Sequence, residues 1–338
     1  MLYVTTRDNK DAFTAHKALT LNAGPDEGRF VPFRLPELTT DELHSLKEKS
    51  FGQIVADILN LFFSTRITGW DVDCCIGRNP AKLVSMNHKI LVAELWHNLE
   101  GKYQYLVSGL YRTVSGNVST NMEPTDWFQI AVRIAILFGL YGEMLKMQHL
   151  SDGDCFDISV PTGDFSIPMA AWYSRKMGLP IHMILCTHEE NSTVWDLIHR
   201  GTFNCAAADK ALCYGVERLI HATLGTEMVQ SYLDKVQNRQ NYTVSEEFIK
   251  HISSGFFCAV AGKTRANTII NSVFRTNGYL IEPASALLYG GLQDYRAKSG
   301  DSRLTVLLSE NTPLDHSKQI SDATGIPGDK LFENMELA

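Results

Sequence analysis

The chain has 338 residues, 44% of them hydrophobic and 20% charged, with a formal charge of −7. That length can bury a substantial core, and the composition fits an ordinary soluble globular protein rather than a disordered one. The acidic balance, with no basic stripe, argues against a nucleic-acid partner, and no secretory segment or bilayer-length apolar run is read, the longest (130 to 141) being interrupted by Arg133. Seven cysteines lie scattered, with only Cys74 and Cys75 adjacent. This suits reduced thiols and a cytoplasmic location. No Cys/His cluster has zinc spacing, so no metal site is expected.

In chain order, Met1 to Arg7 reads as an opening strand, followed by a proline-bounded segment from Val31 to Pro36. Thr39-Thr40-Asp41-Glu42 reads as a helix N-cap with acid in the first turn. Phe51 to Phe63 carries apolar residues at helical spacing. Asp71-Val72-Asp73 reads as a solvated face on an alternating segment rather than a metal site. Ile90 to Ala93 forms a strand, and a polar loop covers Ser115 to Thr120. Ile130 to Lys146 reads as a long buried helix. Residues 226 to 265 read as helices with polar joins, and Leu304 to Leu308 as the last strand.

The stretch from Asp157 to Pro180 carries the strongest functional signal. Ile158-Ser159-Val160 reads as a buried strand, Pro161-Thr162-Gly163 as a tight turn, and Pro168 stands where a first helical residue would be. The helix stops near Gly178-Leu179-Pro180, and a strand from Leu179 to Cys186 follows, then a helix from Thr193 to His199. This is a strand–helix–strand unit of a parallel α/β sheet. A glycine turn between strand and helix presents backbone N–H groups to an anion, although a lone glycine there is more often only a turn.

The segment V-P-T-G-D-F-x-x-x-x-A-x-x-x-x-K-M-G-L-P-I, beginning at Val160, closely resembles threonine synthase, a fold-type-II pyridoxal-phosphate (PLP) enzyme. Ala23 to Pro32, Tyr214 to Leu219 and Thr276 to Pro283 resemble further segments of that family. The resemblance implies an open parallel sheet with flanking helices and a much reduced small domain. It divides the chain into an N-terminal region (1–88), a remnant of the cofactor-covering domain (89–150) and a main α/β domain (151–338). It also implies that Thr162, Gly163, Asp164, Phe165 and Ser166 form a degenerate cofactor-phosphate loop. The family has G-N where Ser166-Ile167 stands, and a neutral Asn where Asp164 stands. Asp164 adds a negative charge there, and its simplest role is a helix N-cap.

Against the family's E-L-F-H-G-P-T-x-x-F-K-D segment, Glu94 to Tyr105 places Gln104 at the Schiff-base lysine. Glutamine has no amine nucleophile. Lys102 lies two residues upstream, and His97 matches the family histidine. The S-G-D-T-G motif is absent, and Glu310 to His316 replaces the family's A-H-P-A-K-F. Together these losses imply a diverged homologue that has abandoned PLP catalysis, with no cofactor. It would be a repurposed enzyme or a binding protein linked to amino-acid-type metabolism, with His97, Gln104, Thr162 and Asp164 converging at the carboxyl edge of the sheet. The alternative is a minimal PLP-dependent lyase or β/γ-replacement enzyme using Lys102. The expected partner is a small polar or amino-acid-like ligand, with no nucleic acid and no membrane; a homo-oligomer is left open.

Overall fold

The computed structural model describes the whole chain except residues 77–80, 97–102, 117–122, 189–191, 332–334 and 336–338. The chain opens with β1 (Leu2–Thr5), β2 (Phe13–Thr14), α1 (Ala15–Thr20) and β3 (Phe30–Pro32). These strands form a small antiparallel sheet in the order β2-β1-β3. α2 (Thr40–Ser45) starts at Thr39, whose hydroxyl accepts from Glu42 N–H while Glu42 reaches back to the cap, a capping box. α3 (Phe51–Phe63) follows, its apolar stripe buried as its periodicity predicts. Asp71 and Asp73 do not alternate along an extended segment; they lie in α4 (Gly69–Ile76), where Asp71 closes the first turn through Thr68.

Next come β4 (Lys82–Asn87), β5 (Ile90–Glu94), α5 (Tyr103–Ser115) and α6 (Asp126–Lys146). α6 begins four residues before the apolar run, at the Thr125 cap. At its full 21 residues it is long and apolar enough to cross a membrane by length and composition, contrary to the sequence expectation, yet 83% of its apolar window is buried inside the protein. It packs between α3 and α7 (Ser166–Lys176).

α7 connects β6 (Phe156–Pro161) to β7 (Ile181–His188) in the expected strand–helix–strand order. The chain continues through α8 (Thr193–Arg200), β8 (Thr202–Asn204), α9 (Lys210–Leu224) and α10 (Thr226–Gln237). The stretch expected to be wholly helical contains two strands, β9 (Asn241–Thr243) and β10 (Phe256–Val260), separated by α11 (Glu246–Ser253). The last elements are α12 (Lys263–Asn277), α13 (Pro283–Ser299), β11 (Thr305–Ser309) and α14 (Ser317–Thr324).

The central sheet runs β10-β7-β6-β11-β5-β4, parallel except for the edge strand β4. β5 therefore lies inside the same sheet as β6, flanked by β11 and β4. Alternate residues serve two cores. Leu91, Ala93, Ile158, Val160, Val306 and Leu308 face the helices α3, α6 and α7. Ile90, Val92, Leu185 and Leu307 face α12, α13 and α14. From β6 the chain moves outward to β7 and β10, then returns to insert β11 beside β6. The strand order reverses there, and in open α/β sheets the carboxyl ends at such a reversal form a ligand crevice.

Candidate functional site

The loop after β6 enters that crevice. Gly163 has φ +47 and Phe165 has φ +68, both left-handed. Phe165 is fully buried and packs on Phe256 at 5.7 Å. Its N–H donates to Thr162 O at 2.8 Å. α7 starts at Ser166, two residues before Pro168, because a proline in the first turn forfeits only an N–H with no intrahelical partner. The N-cap is Phe165 rather than Asp164. Asp164 still satisfies the helix end from one residue earlier: Oδ1 accepts from Ser166 N–H at 2.9 Å and from Ser166 Oγ at 2.5 Å.

α9 forms the facing wall. Lys210, Tyr214 and Arg218 are spaced by four and share one helix face. Glu217 and Arg218 are both buried. Glu217 is ion-paired: Arg7 Nε and Nη2 each donate to its carboxylate at 3.1 Å, and Thr6 Oγ1 donates at 2.5 Å. The same Thr6 hydroxyl accepts from Arg29 N–H, and Thr6 N–H donates to Arg29 O, both at 2.9 Å. This clamp holds Arg29 beside α9, with its guanidinium carbon 3.4 Å from the Tyr214 ring centroid. Arg29 Nη1 donates to Asp126 Oδ2 at 3.0 Å.

Asn22, Arg29, Asp126, Gln129, Asp164, Ser166, Lys210, Ala211, Tyr214 and Arg218 line a cleft of about 330 Å³. The first turns of α6, α7 and α9 all contribute to it. Arg218 is the least satisfied group in it. Among the described residues neither Nε nor Nη2 has a hydrogen-bond partner, and the Asp126 carboxylate is 3.8 Å away. Burial pulls the Arg218 guanidinium below its ordinary pKa, with Asp126 opposing. Deeper, Arg133 of α6 donates through Nε to Glu310 just past β11, at 3.2 Å. Burial alone would lower the Arg133 pKa, but Glu310, Tyr103 and Asp164 outweigh it and raise it. The Tyr103 hydroxyl is buried without a hydrogen-bond partner among the described residues, and its pKa is raised by burial.

Thr162 to Ser166 thus stand together at the crevice, with Asp164 and Ser166 on the cleft wall. Gln104 does not join them. It is exposed on the first turn of α5, and its neighbour Tyr103 points inward beside Arg133. His97 and Lys102 lie outside the described residues. Sequence reasoning missed Arg29, Lys210, Tyr214 and Arg133; the spacing of four along Lys210, Tyr214 and Arg218 was the available signal.

Comparison with known proteins places this geometry. A threonine synthase from Brucella melitensis, solved with PLP bound, superposes with a TM-score of 0.82 at 17% identity, covering 99% of this chain and 94% of that one. The yeast threonine synthase gives 0.82 at 14% identity, covering 98% and 91%. The architecture is that of the fold-type-II PLP enzymes, a mostly parallel sheet with helices on both faces. A family profile described as the threonine synthase N terminus matches residues 2–79. Human threonine synthase-like 1 is 19% identical over 192 residues, 53% of this chain and 26% of that protein. Threonine synthase-like 2 of Xenopus laevis is 26% identical over 184 residues, 50% of this chain and 37% of that protein. The chain spans between about a quarter and two-fifths of the length of these relatives. The chain is thus threonine-synthase-like, in its first 79 residues by sequence and across its length by fold.

Proposed function

We propose that this threonine-synthase-like protein works without PLP and uses the cleft beside the Asp164 loop to hold a small polar, amino-acid-like ligand. The observation that carries the reading is the self-capped helix end. A cofactor phosphate at the start of α7 would need the Ser166 N–H, and that N–H is already bonded to the Asp164 carboxylate. The Phe165 N–H is bonded to Thr162 O, and Pro168 has none to offer. Asp164 also brings negative charge to the spot, and at close range like charges repel by about 1 kcal/mol in water and severalfold more in a partly desolvated pocket. The exposed Gln104, in register with the family's Schiff-base lysine, has no amine to bond a cofactor aldehyde.

The experiment is an absorbance spectrum of the purified protein, alone and with added PLP, followed by borohydride reduction and peptide mass mapping. The expected result is no Schiff-base band and no site-specific adduct. A reduced adduct on Lys102 would overturn the reading and restore PLP-dependent chemistry.

A further inference from the structure

We infer that the face of α9 beside the Asp164 loop is an oxyanion seat, built to take a carboxylate or phosphate group of a small metabolite. Arg218 carries the argument. Its side chain is buried, it lines the cleft, and two of its guanidinium nitrogens make no hydrogen bond among the described residues. A buried cation keeps its charge at low cost only when an anion and hydrogen-bond acceptors surround it. The protein supplies Asp126 at 3.8 Å, and that carboxylate already accepts from Arg29 at 3.0 Å. A planar guanidinium with free donors matches the two oxygens of a carboxylate or the edge of a phosphate.

The surroundings agree. Arg29, Lys210 and Arg218 stand against Asp126 and Asp164, three cations to two carboxylates, leaving one positive charge in excess among the charged groups lining the cleft. Tyr214 holds two of the cations in place, with Arg29 stacked at 3.4 Å and the Lys210 ammonium 5.6 Å from the ring centroid. The first turns of α6 and α9 also meet at the cleft, and helix amino ends favour negative charge. The cations of the seat come from α9 and from Arg29, while Asp164 and Ser166 of the self-capped loop line the same cleft. The inference rests on the cleft being the ligand site and not on the absence of PLP.

The test is saturable binding of inorganic phosphate and of acetate, each read as a thermal shift against sodium chloride at matched ionic strength. At least one of the two should raise the unfolding temperature of the full chain in a saturable way. Lys210→Ala, at an exposed position, and Arg218→Lys should each weaken that apparent affinity by about tenfold, the scale of one charge-assisted hydrogen bond. A preference for phosphate assigns a phosphate monoester, and a preference for acetate a carboxylate; either supports the inference. No response beyond chloride, or equal responses in wild type and a folded Lys210→Ala protein, would overturn it. A protein that fixes PLP on Lys102 yet still answers to phosphate through Lys210 keeps this inference and removes the PLP-free one. A PLP-free protein with no oxyanion response does the reverse.

Discussion

Buried charge at single residues is handled by local pairing, and not always on favourable terms. Asp157, at the amino end of β6, is buried beside His182, whose Nδ1 lies 2.9 Å from its Oδ1. Asp301 is close by, and ligand-capable atoms of the three residues lie within 4.8 Å of one another. Arg303 and Tyr295 both donate to Asp301 Oδ2. Burial raises the Asp157 pKa above the ordinary aspartate value; His182 and Arg303 oppose that and Asp301 adds to it. The folded state therefore keeps its proton to higher pH than the unfolded chain does. Where the native state binds more protons, stability falls as pH rises. Asp157 thus contributes most below its ordinary value and loses that contribution as pH climbs through the raised one. An asparagine side chain at this position cannot titrate. Denaturant midpoints of wild type and Asp157→Asn, measured from about pH 4 to about pH 7, should shift in favour of the variant as pH rises. A constant difference, or the opposite trend, would remove Asp157 as the titrating group.

Elements set the site through close approach. α9 reaches the Asp164 loop because residue 215 is glycine. A Cβ there would overlap the Asp164 carbonyl oxygen and stand 2.7 Å from Phe165 Cβ. Gly215→Ala should push α9 off the loop and cost about 1–3 kcal/mol, the usual scale of overpacking. Urea unfolding checks the cost, and an unchanged midpoint would mean the helix and loop adjust freely. Which elements were legible in sequence follows from where their signals lie. β6, the Gly163 turn and α7 were legible because strand, turn and helix signals are local and consecutive. α3 was legible to the residue because one apolar stripe runs its whole length. β10 was not: Phe256 to Val260 is a short unbroken apolar run, which periodicity cannot tell from a buried helix turn. The burial of Glu217 was hidden for a different reason. Thr6 and Arg7, the partners that cover it, lie 211 and 210 positions away in sequence. The Arg133–Glu310 pair, 177 residues apart, was hidden in the same way.

At the scale of the whole molecule, the N-terminal sheet is part of the core rather than an appendage. Tyr3 is fully buried, and its hydroxyl donates to Phe62 O at the end of α3 while accepting from Trp127 Nε1 at the start of α6. Its ring meets Trp127 edge-on at 5.9 Å, and Trp127 in turn meets Phe62 and Tyr173. One side chain of β1 therefore ties the small sheet to α3, α6 and, through Trp127, to α7. The same sheet delivers Arg29 to the cleft, so the integrity of the site depends on that tie. Tyr3→Phe keeps the ring but leaves a buried indole N–H without its acceptor and a carbonyl without that donor. Such groups cost about 1–3 kcal/mol. The variant should unfold earlier by that amount, with far-UV circular dichroism and tryptophan fluorescence still tracing one transition. Coincident probes mean that strand, helices and cleft melt together. If fluorescence moved ahead of circular dichroism, the N-terminal sheet would be a separate cooperative unit, and Arg29 would leave the cleft before the central sheet is lost.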